Sequence, residues 1–125
     1  MKDYKNYYLI QASPEDVFLA LTTPITIHLW SGEEAEMSTE QGFEFSLFGG
    51  DIVGIVLGAE KNKKIMQQWF FDQETPSVVE LILHQKKKYT SLELRHNNIP
   101  DTEYTDVVNW WNGVFMDRLI EFYAE

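Results

Sequence analysis

Cysteine is absent from the 125 residues. That excludes disulfides, thiolate nucleophiles and zinc–thiolate sites together, and it agrees with a reducing compartment. No apolar run approaches the ~18 residues a membrane-spanning helix needs, and no signal peptide opens the chain. The cytoplasm is therefore the expected address, without membrane insertion. Positive charge is scarce: 10 Lys and Arg stand against 20 Asp and Glu, for a formal net charge of −10. A phosphate backbone needs a basic footprint, so nucleic acid is not an expected partner. The acidity serves either solubility or an acidic docking face. Linkers, repeats and low-complexity tracts are missing too, so one domain is expected over residues 1–125, long enough to bury a core unaided.

Aromatic side chains, by contrast, are abundant: 8 Phe, 6 Tyr and 4 Trp. They bring much buried area per residue, and they also wall apolar cavities. Several sit in the stretch Asp101–Tyr123, where Tyr104, Val107, Val108, Trp111, Val114, Phe115, Leu119 and Phe122 recur at steps of three or four. The spacing predicts one long helix with a single apolar face, roughly 30 Å from end to end, capped by Asp101. Such a rod needs a concave partner.

Upstream, Tyr4–Gln11 reads as a first strand. Ser13-Pro14-Glu15-Asp16 then combines a capping hydroxyl, a proline suited to the first helical position and two acids at the positive end of the dipole. Thr23-Pro24 breaks that helix, and Ile25–Trp30 makes a second short one. From Gly32 the pattern changes to strands over Glu33–Ser38, Gly42–Phe48, Asp51–Glu60, Ile65–Phe71, Val78–Gln85 and Tyr89–His96, joined by short polar or glycine-bearing turns. Short turns imply an antiparallel meander, and Gly54 and Gly58 within one strand are expected to mark where it bends. The fold class is α+β: a curved antiparallel sheet of about seven strands around a long C-terminal helix, with two short helices after the first strand.

Residues across the chain carry a family resemblance. Ala12-Ser13-Pro14-Glu15-Asp16-Val17-Phe18, then Ala20-Leu21-Thr22-Thr23-Pro24, resembles the opening of the START-like (SRPBCC, Bet v 1-like) superfamily, in the group named for the C-terminal domain of the Hsp90 ATPase activator. Trp30, Gly42 to Phe45, Gly49-Gly50, Gly54, and Lys64-Ile65 ahead of Trp69 continue the pattern, as do Ser77-Val78-Val79, Thr90 to His96, and Ile99-Pro100 leading to Trp111. The resemblance implies a helix-grip fold. In the wider superfamily the space between sheet and helix often holds a lipid, sterol or polyketide, and some members are cyclases or hydrolases. In the namesake group the domain supports stimulation of a chaperone ATPase, and longer eukaryotic members carry a further N-terminal domain. The partners this implies are a small hydrophobic ligand and an Hsp90-like chaperone.

Catalytic and metal patterns find no support. There is no G-x-S-x-G elbow, and the three histidines, His28, His84 and His96, show neither an i, i+4 pair nor an HExxH motif. No catalytic residue, metal or cofactor is assigned. His84 and His96 lie on strands expected to pair, and two histidines without a third ligand are structural more often than metal-binding. His96 shares a face with Leu92 and Leu94, looking toward the helix, so it is either a hydrogen-bonded core residue or a ligand contact. The acids Glu33, Glu34, Glu36, Glu40, Glu44 and Asp51 alternate outward and read as a solvated edge. Trp30, Phe43, Phe45, Trp69, Phe71, His96, Trp111 and Phe115 are the candidate lining of a ligand site, and they either fill the space or enclose it. Trp110 is expected on another helix face. Lys61, Lys63 and Lys64 in one turn, and Lys86, Lys87 and Lys88 in the next but one, should gather at one tip. There they either guard against edge pairing or dock an acidic partner.

Overall fold

Entry into the first helix follows from side-chain chemistry. Ser13 Oγ accepts the Asp16 amide at 3.2 Å, Pro14 takes the first helical position, and α1 (Pro14–Thr22) buries Val17, Phe18, Ala20 and Leu21. Thr23, kept extended by the following proline, separates α1 from α2 (Pro24–Ser31). Gly32 ends α2 at φ 76°, a left-handed conformation that costs glycine little.

Ahead of these helices lies β1 (Lys2–Ile10). After them come β2 (Glu44–Leu47), β3 (Ile52–Glu60), β4 (Lys64–Trp69), β5 (Ser77–Gln85) and β6 (Thr90–Ile99). The computed structural model, which describes residues 1–124, joins them in one antiparallel sheet of order β1-β6-β5-β4-β3-β2. The first and last strands pair, so the meander returns to its start and leaves β1 and β2 as edges.

The seventh predicted strand, Glu33–Ser38, does not form. One bridge links Glu36 to Ser46. The Glu36 amide donates to the Ser46 carbonyl at 2.8 Å, the Ser46 amide donates back at 3.0 Å, and the Gly49 amide reaches the Glu34 carbonyl at 3.0 Å. Ala35 and the buried Met37 do face the core, but the bridge at Glu36 is not extended into a ladder, so the segment only fringes β2.

The two glycines of β3 play different parts. A Cβ on Gly54 would lie 2.0 Å from the Gln68 carbonyl oxygen and 2.7 Å from the Phe45 ring, so the ring crosses the strand where no side chain stands. Around Gly58 the β3–β4 register shifts instead, marking a bulge.

Into the hollow of the sheet goes the C-terminal rod. α3 (Tyr104–Trp110), a π-helical stretch (Trp111–Met116) and α4 (Asp117–Tyr123) follow without a break, because Trp111 (φ −55°, ψ −45°) and Asp117 (φ −58°, ψ −47°) keep right-handed helical backbone at both junctions. Val107, Trp111, Phe115, Met116 and Leu119 are buried against the sheet, whereas Phe122 is 45% exposed despite its spacing. Asp101 does not cap the helix. It holds the N-terminal ammonium of Met1 at 2.8 Å, and Glu103 occupies the cap position without a side-chain bond. Arg118 ties the rod to α2 by donating to the Ser31 carbonyl at 2.7 Å.

Candidate functional site

Between sheet and rod, the rings expected to gather there do so. Trp69 of β4 stacks on Trp111 with centroids 4.9 Å apart, and Trp111 meets Phe115 edge-on at 4.9 Å. Trp30 of α2 packs on Phe115 at 4.9 Å, and His96 of β6 stands 4.8 Å from Trp69. Phe45 is buried beneath Gly54, while Phe43 and Phe71 are half-buried at the margin. Two members of the cluster were not expected. Trp110 lies 5.1 Å from Phe48, 5.5 Å from Trp69 and 5.4 Å from Phe115, so it joins the same cluster instead of facing away. Phe48 holds a left-handed φ of 54° beside Gly49, a turn conformation that residue type does not advertise.

Polar atoms in this interior are matched. The indole N–H of Trp30 donates to the Ala20 carbonyl at 2.7 Å, that of Trp69 to Gln67 Oε1 at 3.1 Å, and that of Trp111 to His96 Nδ1 at 3.0 Å. An indole nitrogen only donates, so His96 Nδ1 is the bare nitrogen and Nε2 carries the proton. Nε2–H then donates to Ser77 Oγ at 2.9 Å, and Ser77 O–H donates to the Asn97 carbonyl at 3.0 Å. Burial pushes the imidazole down to about 3, so it stays neutral near pH 7 with both nitrogens engaged. Ser77 was missed, since a lone strand serine gives no signal until its cross-strand neighbours are known. Among the described residues no buried side-chain nitrogen or oxygen lacks a partner.

The space left over is small. A gap of about 10 Å³ lies among Leu21, Ile27, Trp30, Leu81, Trp111 and Phe115. That is about the room one water needs, against at least ~300 Å³ for a small-molecule site. His84 takes no part: it sits on the outer sheet face, 2.7 Å from the buried Glu93, while His96 faces inward. Burial works against ionisation of Glu93, yet hydrogen bonds from His84 and Arg95, with the charges of Arg95 and Lys5, hold its carboxyl below the usual range. Among the described residues no three His, Cys, Asp or Glu come together as a metal would need.

The two lysine-bearing turns, β3–β4 and β5–β6, share an end of the sheet, and Lys63, Lys64 and Lys86 line one hollow there. The Leu83 amide donates to the Lys63 carbonyl at 2.8 Å. Between these turns and the start of α1 opens a hollow of about 780 Å³, lined by Ser13, Glu15, Glu60, Lys63, Lys64 and Lys86 among others. Lys64 is paired with Glu80 at 2.8 Å. Lys61, Lys63, Lys86, Lys87 and Lys88 are exposed, and among the described residues none makes an ion pair.

Residues 11–123 match the family described as Activator of Hsp90 ATPase homolog 1-like protein. The chain belongs to that family. Among solved structures, an HSP90 activator from Plasmodium falciparum superposes on this family member with a TM-score of 0.82 at 30% identity, covering 92% of this chain and 91% of its own. The Aha1 dimer from Colwellia psychrerythraea gives 0.81 over 98% of this chain and 96% of its own; at 21% identity it speaks for the helix-grip fold alone. An activator of 90 kDa heat shock protein ATPase homolog from Dictyostelium discoideum is 25% identical over 113 residues, 87% of this chain. This Hsp90-activator-like chain spans 30% of the length of the curated relatives it matches. No described helix is long and apolar enough to cross a membrane.

Proposed function

We propose that this chain is a non-enzymatic interaction module of the Hsp90-activator kind, which docks an acidic surface of an Hsp90-like chaperone at its lysine-bearing end. The observation that carries this reading is the contrast between a closed interior, with a gap of about 10 Å³, and an open end whose two turns carry five unpaired lysines, two of which, Lys63 and Lys86, line a hollow of about 780 Å³. A chain of net charge −10 repels acidic partners everywhere except where its cations collect. Approach is thereby steered to one orientation. Membership of the family supports the choice of partner.

The test is retention of the Hsp90 homologue from the same host on the immobilised chain, at low and high salt, alongside the chaperone's ATPase rate. Binding should weaken as salt rises, and Lys63→Glu with Lys86→Glu should lower affinity by roughly tenfold. A chaperone that is never retained, or one indifferent to the lysines, overturns the reading. Native mass spectrometry of the host-purified protein addresses the other reading: a co-purifying apolar molecule would favour a ligand enclosed by Trp30, Phe43, Phe45, Trp69, Phe71, His96, Trp111 and Phe115.

A further inference from the structure

A different face carries apolar side chains on which nothing packs. On α2, Ile25 is 75% exposed and Leu29 63%. Four positions apart, they stand on one side of the helix, while Ile27 and Trp30 enter the core. Beside them lies a hollow of about 560 Å³, also lined by His28, Glu34, Ala35 and Glu36. Its two walls differ in chemistry: α2 offers aliphatic surface, and the 34–36 segment offers carboxylates.

Three observations say what fits between these walls. First, no lysine or arginine occurs between Lys5 and Lys61, and among the described residues Glu34 and Glu36 have no ion-pair partner. Arg118 reaches this side but is held by the Ser31 carbonyl and Glu33. Second, Glu36 turns its amide and carbonyl toward β2, so strand alternation turns those of Ala35 the other way. Among the described residues the Ala35 amide and carbonyl make no hydrogen bond. Third, successive side chains of an extended peptide point to opposite sides, which suits a groove with one apolar and one acidic wall.

We propose that the groove between α2 and the 34–36 segment receives an extended segment of a partner protein in which aliphatic and Lys or Arg side chains alternate. The aliphatic side chains lie on Ile25 and Leu29, the cations face Glu34 and Glu36, and the peptide backbone bonds to Ala35. The carboxylates disfavour an anionic lipid surface. The groove takes charge of the opposite sign to the lysine end, so it stands without that reading.

Selection of random peptides displayed on phage against the intact chain tests this directly. Selected sequences should alternate aliphatic and basic residues, and their binding should shift the Ala35 amide in an NMR titration. Ile25→Asp with Leu29→Asp, and separately Glu34→Lys with Glu36→Lys, should each weaken a selected peptide by ~10-fold or more. These positions are exposed, so both variants should keep the wild-type circular dichroism spectrum and melting profile. No consensus, an acidic consensus, or peptides indifferent to both variants overturns the proposal. Light scattering that finds a dimer dissolved by Ile25→Asp with Leu29→Asp overturns it as well, by showing that a second copy covers the face.

Discussion

Around Trp111, the indole N–H groups of Trp30, Trp69 and Trp111 and both nitrogens of His96 meet a protein partner, and a gap of about 10 Å³ remains. Around Lys63 and Lys86, cations stand without counter-ions beside about 780 Å³ of open hollow. The first region matches its own polar groups, and the second leaves charge unmatched. Large aromatic side chains close the interior by their own bulk, and the same bulk that suggests a pocket removes it. Lysines at the turns contribute little to the fold, so their placement at one end calls for an explanation outside folding.

Three measurements sharpen or break this contrast. Trp111→Ala should have the largest effect. It empties a ring that is 1% exposed and leaves His96 Nδ1 without its donor, so the urea midpoint should report a loss of about 4 kcal/mol. A loss below about 1 kcal/mol would mean that the interior is slack, and the enclosed-ligand reading would gain ground.

Acid should have the next largest effect. The unfolded chain protonates His96 near 6.5, while the folded chain resists until about 3. Between those values protons favour the unfolded state, so stability should fall with pH through that window by on the order of 1 kcal/mol per pH unit. Glu93, with its folded carboxyl held down, loses its contribution in the same direction as pH drops below the ordinary carboxylate range. Denaturant midpoints measured from neutral to acid pH separate the two groups, because His96→Gln should flatten only the upper part of the decline. A wild-type profile flat down to pH 4 would mean that His96 is not sealed from solvent.

The smallest effect belongs to the turns. Lys63→Glu with Lys86→Glu should move the unfolding free energy by no more than about 0.5 kcal/mol, even while it weakens a partner. A larger loss would make the lysines part of the fold and remove the contrast.

Much of the fold was legible because it depends on local chemistry. The Ser13 cap, the Thr23-Pro24 break, the turns and the alternation of Leu92, Leu94 and His96 follow from neighbours within a few residues. Features set by distant partners were not. Glu33–Ser38 alternates like a strand but has one bridge to β2, and Asp101 looks like a cap until the N-terminal ammonium of Met1 claims it. Trp110 looks outward on an ideal wheel, yet it packs on Phe48, whose backbone conformation no pattern announces. That the lysine turns share an end was readable, since alternate turns of a meander do so. Whether the aromatics fill or enclose their space was not, because that depends on how closely the sheet curls.

Val107, Trp111, Phe115 and Leu119 are spaced at intervals of four, and an ideal α-helix advances about 40° beyond a full circle at each such step. Three steps would carry Leu119 about 120° off the line of Val107 and out of the sheet's hollow. The wider turn at Trp111–Met116 takes more residues to complete a circle and so rotates the second half back into alignment. Deleting Gly113 should therefore cost α4 little of its seat: with ordinary winding restored, eleven steps in place of twelve leave Leu119 only about 20° from the line of Val107, so the wide turn and a one-residue excision are two solutions to the same alignment.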